Sequence, residues 1–369
     1  MADPVARPPA APELPFVSVV MPVRNEAAYI ERALAAVFAQ DYPQDRLEVL
    51  VADGLSTDGT RELIAAAAKA RPGLRLLDSP GRTAPCGLNV GVRAARGEIV
   101  VRVDGHCEIE RDYVSRCVAH LEAGDGDAVG GSVETIGEDK LADTIAAAMS
   151  SPFGVGGSAF RTVRGRTLLV DTVPFPAYTR AILERVGPFD EELVRNQDDE
   201  YNARLRKLGG RVLLAADVRS RYYSRGSWRG LWRQYFQYGY WKVRVLQKHP
   251  RQMKLRHFVP AAFVGTLVAA GALAFFWRPA ALAGLGLLGA YAVAVLAASA
   301  RAASSSGRGA RVFAGLPLAF AILHVAYGAG SWAGLVRFRR RWGTESRPAP
   351  PESALVPGPR VDADAGGPR

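Results

Sequence analysis

From residue 16 the chain alternates short apolar runs with longer stretches in which apolar residues return every three or four positions. FVSVVMPV (16–23) is an apolar, β-branched run that stops at Arg24-Asn25-Glu26. The following AYIERALAAVFAQ sets Ile30, Leu34, Val37 and Phe38 on one face of a helix. LEVLVADG (47–54) repeats the strand pattern, and STDGTRELIAAAAKA after it opens with Ser, Thr and Asp, which cap helix starts. LRLLD (74–78), a Pro/Gly loop, a helix from about Gly87 to Ala95 and a strand GEIVVRVDGH (97–106) continue the alternation. Strands apolar on both faces, separated by helices, predict an α/β domain over residues 16–225 with a parallel sheet covered on both sides. Ligands of such sheets sit at the carboxyl ends of the strands. The polar residues placed there are Glu26, Asp53 and Asp104.

The periodicity changes near residue 225. SRGSWRGLWRQYFQYGYWKVRVLQKHPRQMKLRH (224–257) mixes aromatic and basic residues without a single acid. Residues 226–257 therefore read as an amphipathic interfacial segment on anionic lipid. Segments 258–277 and 279–299 carry no charge, and 312–336 contains only His324. Each is long enough to cross ~30 Å of hydrocarbon, so 258–336 is read as a transmembrane region. Arg278 and Pro279 separate the first two segments, which predicts a tight hairpin. Arg301, Arg308 and Arg311 follow the second segment, and Arg337, Arg339, Arg340 and Arg341 the third. Positive-inside bias puts both clusters in the cytoplasm, which three full crossings cannot satisfy. Either the third segment, with Gly315, Pro317, Gly328, Gly330 and Gly334, is re-entrant or hairpin-like, or the tail breaks the rule; two crossings are expected, with the third left open. Residues 1–15 and 343–369 are Pro/Ala/Gly-rich and read as a flexible leader and a disordered tail. The leader lacks the features of a signal peptide.

A net charge of +11 with 49% apolar and 22% charged residues excludes a disordered or collagen-like chain. Nucleic-acid binding competes for the basic segment and loses, because its charge abuts membrane-length apolar runs. Cys86, Cys107 and Cys117 form no Cys-x-x-Cys pair, which excludes a cysteine zinc site and argues for a reducing, cytoplasm-facing setting. No Gly-x-Gly-x-x-Gly follows the first strand and no phosphate-binding Gly-x-x-x-x-Gly-Lys-Ser/Thr occurs anywhere.

Three places carry candidate chemistry. Asp53 ends a buried strand and reads either as a ligand-facing acid or as a loop aspartate stabilising its own turn. Asp104 ends IVVRV, where an unpaired carboxylate is costly unless it meets a metal or a cation. His106, two positions on along an extended backbone, points the same way, and an Asp-x-His pair suits a divalent ion. A plain loop histidine is the competing reading. In VGPFDEELVRNQDDEYNARLRKLGG (186–210), Gln197-Asp198-Asp199-Glu200 opens a helix with Leu205 and Leu208 inside and Gly209-Gly210 at its end. Three consecutive acids exceed what a helix start requires, and one facing a cleft suits a general base.

The segments VSVVMPVRNE, VLVADGLSTDGT, GLNVGVRAARGEIVVRVDGH, VGPFDEELVRNQDDEYNARLRKLGG and RQYFQYGYWK, in this order over about residues 16–245, resemble family 2 glycosyltransferases of the GT-A fold. SSPFGVGGSAFR (150–161), DTVPFPAY (171–178) and the apolar C-terminus are most similar to the succinoglycan-biosynthesis (ExoA-type) glucosyltransferases. The resemblance implies a nucleotide-sugar-binding, Rossmann-like domain followed by transmembrane helices. It implies that Pro22, Arg24, Glu26 and Asp53 hold the nucleoside. Asp104 becomes the first acid of an Asp-x-Asp motif, touching ribose and a diphosphate-bound Mg2+ or Mn2+, with His106 in the second acid's position. Asp198 becomes the catalytic base, with Asp199 its rival. Gln234, Tyr238 and Trp241 fall on the acceptor side, and the Arg-Trp of processive synthases is missing. Arg82 either offsets charge on the departing diphosphate or is a solvated loop charge.

The activity so implied is inverting transfer from a nucleotide sugar, UDP-glucose by resemblance, to a lipid-linked saccharide in exopolysaccharide or envelope glycan synthesis. The enzyme would be a multi-pass protein of the cytoplasmic membrane with its catalytic domain in the cytoplasm. A processive polysaccharide synthase and a silent nucleotide-binding scaffold are the alternatives.

Overall fold

The computed structural model describes residues 13–224, 226–305 and 309–342. Residues 1–12 of the expected leader and the whole expected tail, 343–369, lie outside it. The first half follows the predicted alternation: β1 (Val17–Val23), α1 (Ile30–Phe38), β2 (Leu47–Asp53), α2 (Thr60–Ala70), β3 (Leu74–Asp78), α3 (Ala84–Ala94) and β4 (Ile99–Arg102). Every residue of β1 and β2 is buried, as uninterrupted apolar runs require. The rest of the α/β domain contains β5 (Cys107–Ile109), α4 (Tyr113–Glu122), β6 (Ala128–Ile136), α5 (Lys140–Met149), the one-turn helices α6 (Pro152–Val155) and α7 (Ala159–Thr162), and β7 (Leu168–Leu169). It closes with β8 (Ala177–Thr179), α8 (Arg180–Val186), α9 (Gln197–Lys207) and β9 (Val212–Tyr223). The C-terminal third is helical: α10 (Trp228–Lys248), α11 (Val259–Leu273), α12 (Arg278–Ser305), the short α13 (Ala310–Phe313) and α14 (Leu316–Phe338).

The sheet has nine strands in the order β3-β2-β1-β4-β8-β6-β9-β5, with β7 on β9. Its first four strands are parallel as expected, but β8 runs antiparallel to both β4 and β6. The sheet is therefore mixed, with an antiparallel neighbour on each side of β8. Register aligns Val23 with Asp53 and Asp53 with Asp78, so the carboxyl ends of β1 to β3 share one edge.

Two boundaries differ from the sequence reading in ways that matter for the site. The stretch 97–106 is not one strand: β4 ends at Arg102, and Asp104 to Cys107 form a turn closed by Cys107 N–H on the Asp104 carbonyl (3.1 Å). Asp104 and His106 thus leave the backbone from a turn rather than from one face of a strand. In α9, Leu205 is buried but Leu208 is 46% exposed, since it falls at the helix end just before Gly209, whose φ is +80°.

The helical third does not stand apart. Among the described residues, two stretches are long and apolar enough to cross a membrane, Arg278–Ser305 and Arg311–Phe338. They are placed differently. Leu316, Ala319, Phe320, Leu323 and Ala326 of α14 are buried in the same core as α5 and the sheet. The other end of α14 is fixed by Arg341 on Glu192 (2.8 Å) and by Gln247 on the Phe338 carbonyl (2.8 Å). Both ends of α14 therefore meet the α/β domain, and the helix lies along it. Glycines on both helices serve its packing against α10: a methyl on Gly330 of α14 would collide with the Phe236 carbonyl, and one on Gly239 of α10 with that of Tyr327. The third apolar segment, left open between a re-entrant form and a crossing, holds one continuous helix over Leu316–Phe338, whose small residues let α10 approach. The first expected span yields a helix of only 15 residues, about 22 Å at 1.5 Å per residue. With α12 it forms a hairpin whose tip exposes Phe275 (87%) and Phe276 (91%).

Candidate active site

The site is organised around a cation inside the sheet. Arg102, the last residue of β4, is buried among apolar neighbours and must meet acids there. Its Nε and Nη2 donate to Asp104 Oδ1 (3.1 and 2.9 Å), and its Nη1 donates to Asp198 Oδ1. One guanidinium so joins the acid at the end of β4 to the acid in the first turn of α9. That turn is set by Asn196, held at φ +62° with its side-chain amide donating to the Tyr238 carbonyl (2.9 Å) of α10.

The two neighbouring aspartates differ. Burial pushes the Asp198 carboxyl up to about 6, with Arg102 opposing and Asp104 and Asp199 adding to the rise. Its side chain keeps 31% of its surface open to the cleft. Asp199 is also subject to desolvation, but Lys242 at 2.6 Å prevails and holds it below the usual carboxylate range. Glu200, the third acid, is inside the protein, paired with Arg204 (2.8 Å) and His249 (3.0 Å), and anchors the helix.

At the strand edge, Glu26 Oε1 lies 2.9 Å from His106 Nδ1, and the His106 ring packs edge-on against Tyr222. Asp53 is 0% exposed. It accepts from the Ser56 N–H (3.0 Å) and hydroxyl and from Arg61 (2.7 Å), which also reaches Asp78 (2.7 Å). Pro22 is buried in β1 against Gly87 of α3, and exposed Arg24 donates to the Arg82 carbonyl (3.4 Å). The Arg82 side chain is exposed beside them, on a residue at φ +56°.

The Asp-x-His pair is therefore split: Asp104 is held by Arg102, and His106 by Glu26. No group of three or more His, Cys, Asp or Glu side chains that could hold a metal occurs among the described residues. The donors fit a cation carried in with a diphosphate, because Mg2+ commonly takes one or two carboxylates and completes its shell from phosphates and water. They do not form a self-sufficient metal cage.

On α10, Gln234 Nε2 donates to the hydroxyls of Tyr238 (3.0 Å) and Tyr222 (3.3 Å), so Gln234 and Tyr238 adjoin the His106 side of the site. Trp241 instead packs on Phe338 of α14 and on Tyr240. Three of the helix's cations are turned inward, Lys242 to Asp199, Arg244 to Glu192 (2.9 Å), and Lys248 to Asp190 and Glu192, while Arg229 and Arg233 are exposed. Sequence reasoning missed Arg102 and Lys242. The signal for Arg102 was a charge inside the apolar run IVVRV; for Lys242 there was none.

A parallel half-sheet with a cleft at its carboxyl edge, closed by antiparallel strands and an acid-bearing helix, defines a GT-A-type transferase domain. Residues 18–187 match the family described as Glycosyl transferase family 2. The chain is similar to the succinoglycan biosynthesis protein ExoA of Rhizobium meliloti (strain 1021), 31% identical over 342 residues, covering 88% of this chain and 96% of the relative. It is also similar to a dolichyl N-acetyl-alpha-D-glucosaminyl phosphate glucuronosyltransferase of Methanococcus voltae, 28% identical over 241 residues, covering 63% of this chain and 74% of the relative. Among solved structures, it resembles the mannosyltransferase PcManGT of Pyrobaculum calidifontis in complex with GDP-mannose and Mn2+, with a TM-score of 0.55 and 24% identity over 87% of this chain and 88% of that one. The chain belongs to glycosyltransferase family 2.

Proposed function

We propose that this glycosyltransferase moves a sugar, with inversion, from a nucleotide-sugar donor to a lipid-linked saccharide at the cytoplasmic face of a membrane. The observation that carries the reading is the Asp104–Arg102–Asp198 link. It ties an acid on the donor side of the cleft to a carboxylate basic enough to take a proton. Asp198 receives the proton of the acceptor hydroxyl as its oxygen bonds to the anomeric carbon. The bond from that carbon to the phosphate oxygen breaks, and the nucleoside diphosphate leaves with the electron pair. Attack from the face opposite the leaving group inverts the anomeric centre, so an α-linked donor gives a β-linkage. Arg102 keeps Asp198 in place and partly offsets its desolvation. Arg24 and Arg82 lie at the loop ends where donor phosphates would approach. A divalent cation bound by Asp104 together with the diphosphate would neutralise charge on the leaving group.

The membrane part of the reading is supported by the α11–α12 hairpin, whose exposed Phe275, Phe276 and Trp277 favour lipid over water. UDP-glucose and an exopolysaccharide product are the donor and pathway suggested by the similarity to ExoA. The test is a transfer assay on the purified chain in membranes, with radiolabelled nucleotide sugars, a lipid extract, and Mg2+, Mn2+ or chelator. One discrete labelled glycolipid, lost with chelator, is expected. No incorporation from any donor, with nucleotide still bound, would sink the reading in favour of a silent scaffold, and a ladder of long products would favour a synthase.

A further inference from the structure

A small cavity, half open to solvent, lies on the other side of the helix turn that carries the base. Its charged and titratable wall residues are Asp171, Asp199 and Arg206 of the catalytic domain, Lys242 of α10, and Arg256 and His257 from the link that leads into α11. Consecutive helix residues leave the axis about 100° apart, so Asp198 turns to Arg102 while Asp199 turns to Lys242 and this cavity.

Three cations converge on the single carboxylate of Asp171: Lys254 (2.6 Å), Arg256 (3.2 Å) and Arg206 (3.8 Å). With Lys242 they make four cations against two acids. Their hydrogen-bonding capacity is far from exhausted, since a guanidinium carries five N–H donors and an ammonium three. The buried Nε of Arg206 has no partner at all. Burial, with Lys242 close by, lowers the His257 imidazole to about 4, so it is neutral at physiological pH. A half-closed pocket with surplus Arg and Lys donors is suited to a multiply charged oxyanion, which guanidinium groups bind in bidentate fashion.

The position narrows the source of that anion. Arg256 is fixed to the catalytic domain by its bond to the Gly157 carbonyl (3.0 Å), and two residues later begins the apolar surface of Phe258 and Val259. That surface runs on through α11 to the exposed hairpin tip. A molecule with a phosphate at one end and a long apolar chain would place its charge in the cavity and its chain along the hairpin. We propose that this cavity holds the phosphate or diphosphate of the lipid-linked acceptor, with Arg206, Lys242 and Arg256 as donors on its wall and the exposed Lys254, on Asp171, at its mouth. Asp171 occupies these cations in the free protein and yields them to the incoming phosphate. The inference rests on the lipid-linked acceptor proposed above; it adds the site that would grip it, next door to the base.

The test compares the full-length wild type with the double variant Lys254→Gln/Arg256→Gln and with Asp171→Asn. Binding is measured to phosphatidylcholine vesicles that are undoped, doped with a polyprenyl monophosphate, or doped with phosphatidylglycerol at matched surface charge. Inorganic pyrophosphate serves as soluble competitor, and nucleotide-sugar binding is followed in parallel. Wild type should prefer the polyprenyl phosphate, pyrophosphate should erase the preference, and the double variant should lose about tenfold while keeping nucleotide binding. Asp171→Asn removes the competing carboxylate and should strengthen the preference, a gain that misfolding cannot imitate. Equal wild-type binding to both doped vesicles overturns the proposal, as does a preference untouched by all the substitutions. Pyrophosphate binding without lipid preference makes this a soluble-anion site and overturns the lipid assignment. A preserved lipid preference without nucleotide-sugar binding would instead overturn the transferase reading and leave the cavity standing.

Discussion

Asp198 and Asp199 show how environment separates two identical side chains. The first shares a buried guanidinium with Asp104 and titrates near 6, whereas the second is neutralised by Lys242 and stays ionised. Asp198→Asn should therefore lower single-turnover transfer by about 100- to 10,000-fold with donor binding retained, and Asp199→Asn by far less. A base with its pKa raised to about 6 is protonated below that pH. The rate should then fall about tenfold per pH unit on the acid side and be level above it. Arg102 opposes the rise of Asp198, so Arg102→Met should move this acid limb to higher pH while Arg102→Lys should largely keep it. A pH–rate profile of the three proteins decides; an unmoved limb in Arg102→Met would detach Arg102 from the titration of the base. These roles were half legible beforehand. The acids stood out as a run at a helix start, but nothing in QDDE shows that Lys242, more than forty positions later, would claim the second of them.

Among the elements, the contact between α10 and α14 is the least expected. It rests on glycines that let one backbone meet the other, as at Gly239 against Tyr327 and Gly330 against Phe236. Gly330→Ala should cost about 1–3 kcal/mol, since neither backbone can retreat from the added methyl without disturbing the crossing. Gly286→Ala, on α12 with nothing within 4 Å, should be silent or slightly stabilising. Thermal unfolding of the two variants separates the cases, and an equal Tm would mean that the crossing is not close-packed. The same glycines suggested a broken or re-entrant segment when seen in sequence, because a helix breaker and a helix-packing residue are the same amino acid there. Only the neighbour opposite distinguishes them.

The assembled chain turns one cationic face inward and one apolar hairpin outward. Lys242, Arg244 and Lys248 are used on Asp199, Glu192 and Asp190, so they have little to offer anionic lipid. Membrane binding should consequently keep a salt-insensitive part from Phe275 and Phe276 and lose with salt only the part due to the exposed Arg229 and Arg233. Replacing both phenylalanines by Ser should weaken vesicle binding about 10- to 100-fold per residue, given roughly 1.5–3 kcal/mol for each buried side chain. Co-sedimentation at low and high salt checks both statements. α14 meets the α/β domain near both of its ends, through its buried first turns and through Arg341 on Glu192.

Local regularities were sufficient for the parallel half of the sheet, the helix starts and the acids at the strand ends. Uninterrupted apolar runs, capping residues and strand-end polarity are each set within a few neighbours. What the order of residues left open was every pairing between distant segments. Arg102 finding Asp198, His106 turning to Glu26 rather than sharing a ligand with Asp104, Asp53 enclosed by Arg61, and α14 lying on α10 are all choices among partners far apart in the chain. Burial makes such choices binding: a charge inside the sheet must be matched, and a stripe of small residues must be filled, by whatever the fold brings opposite.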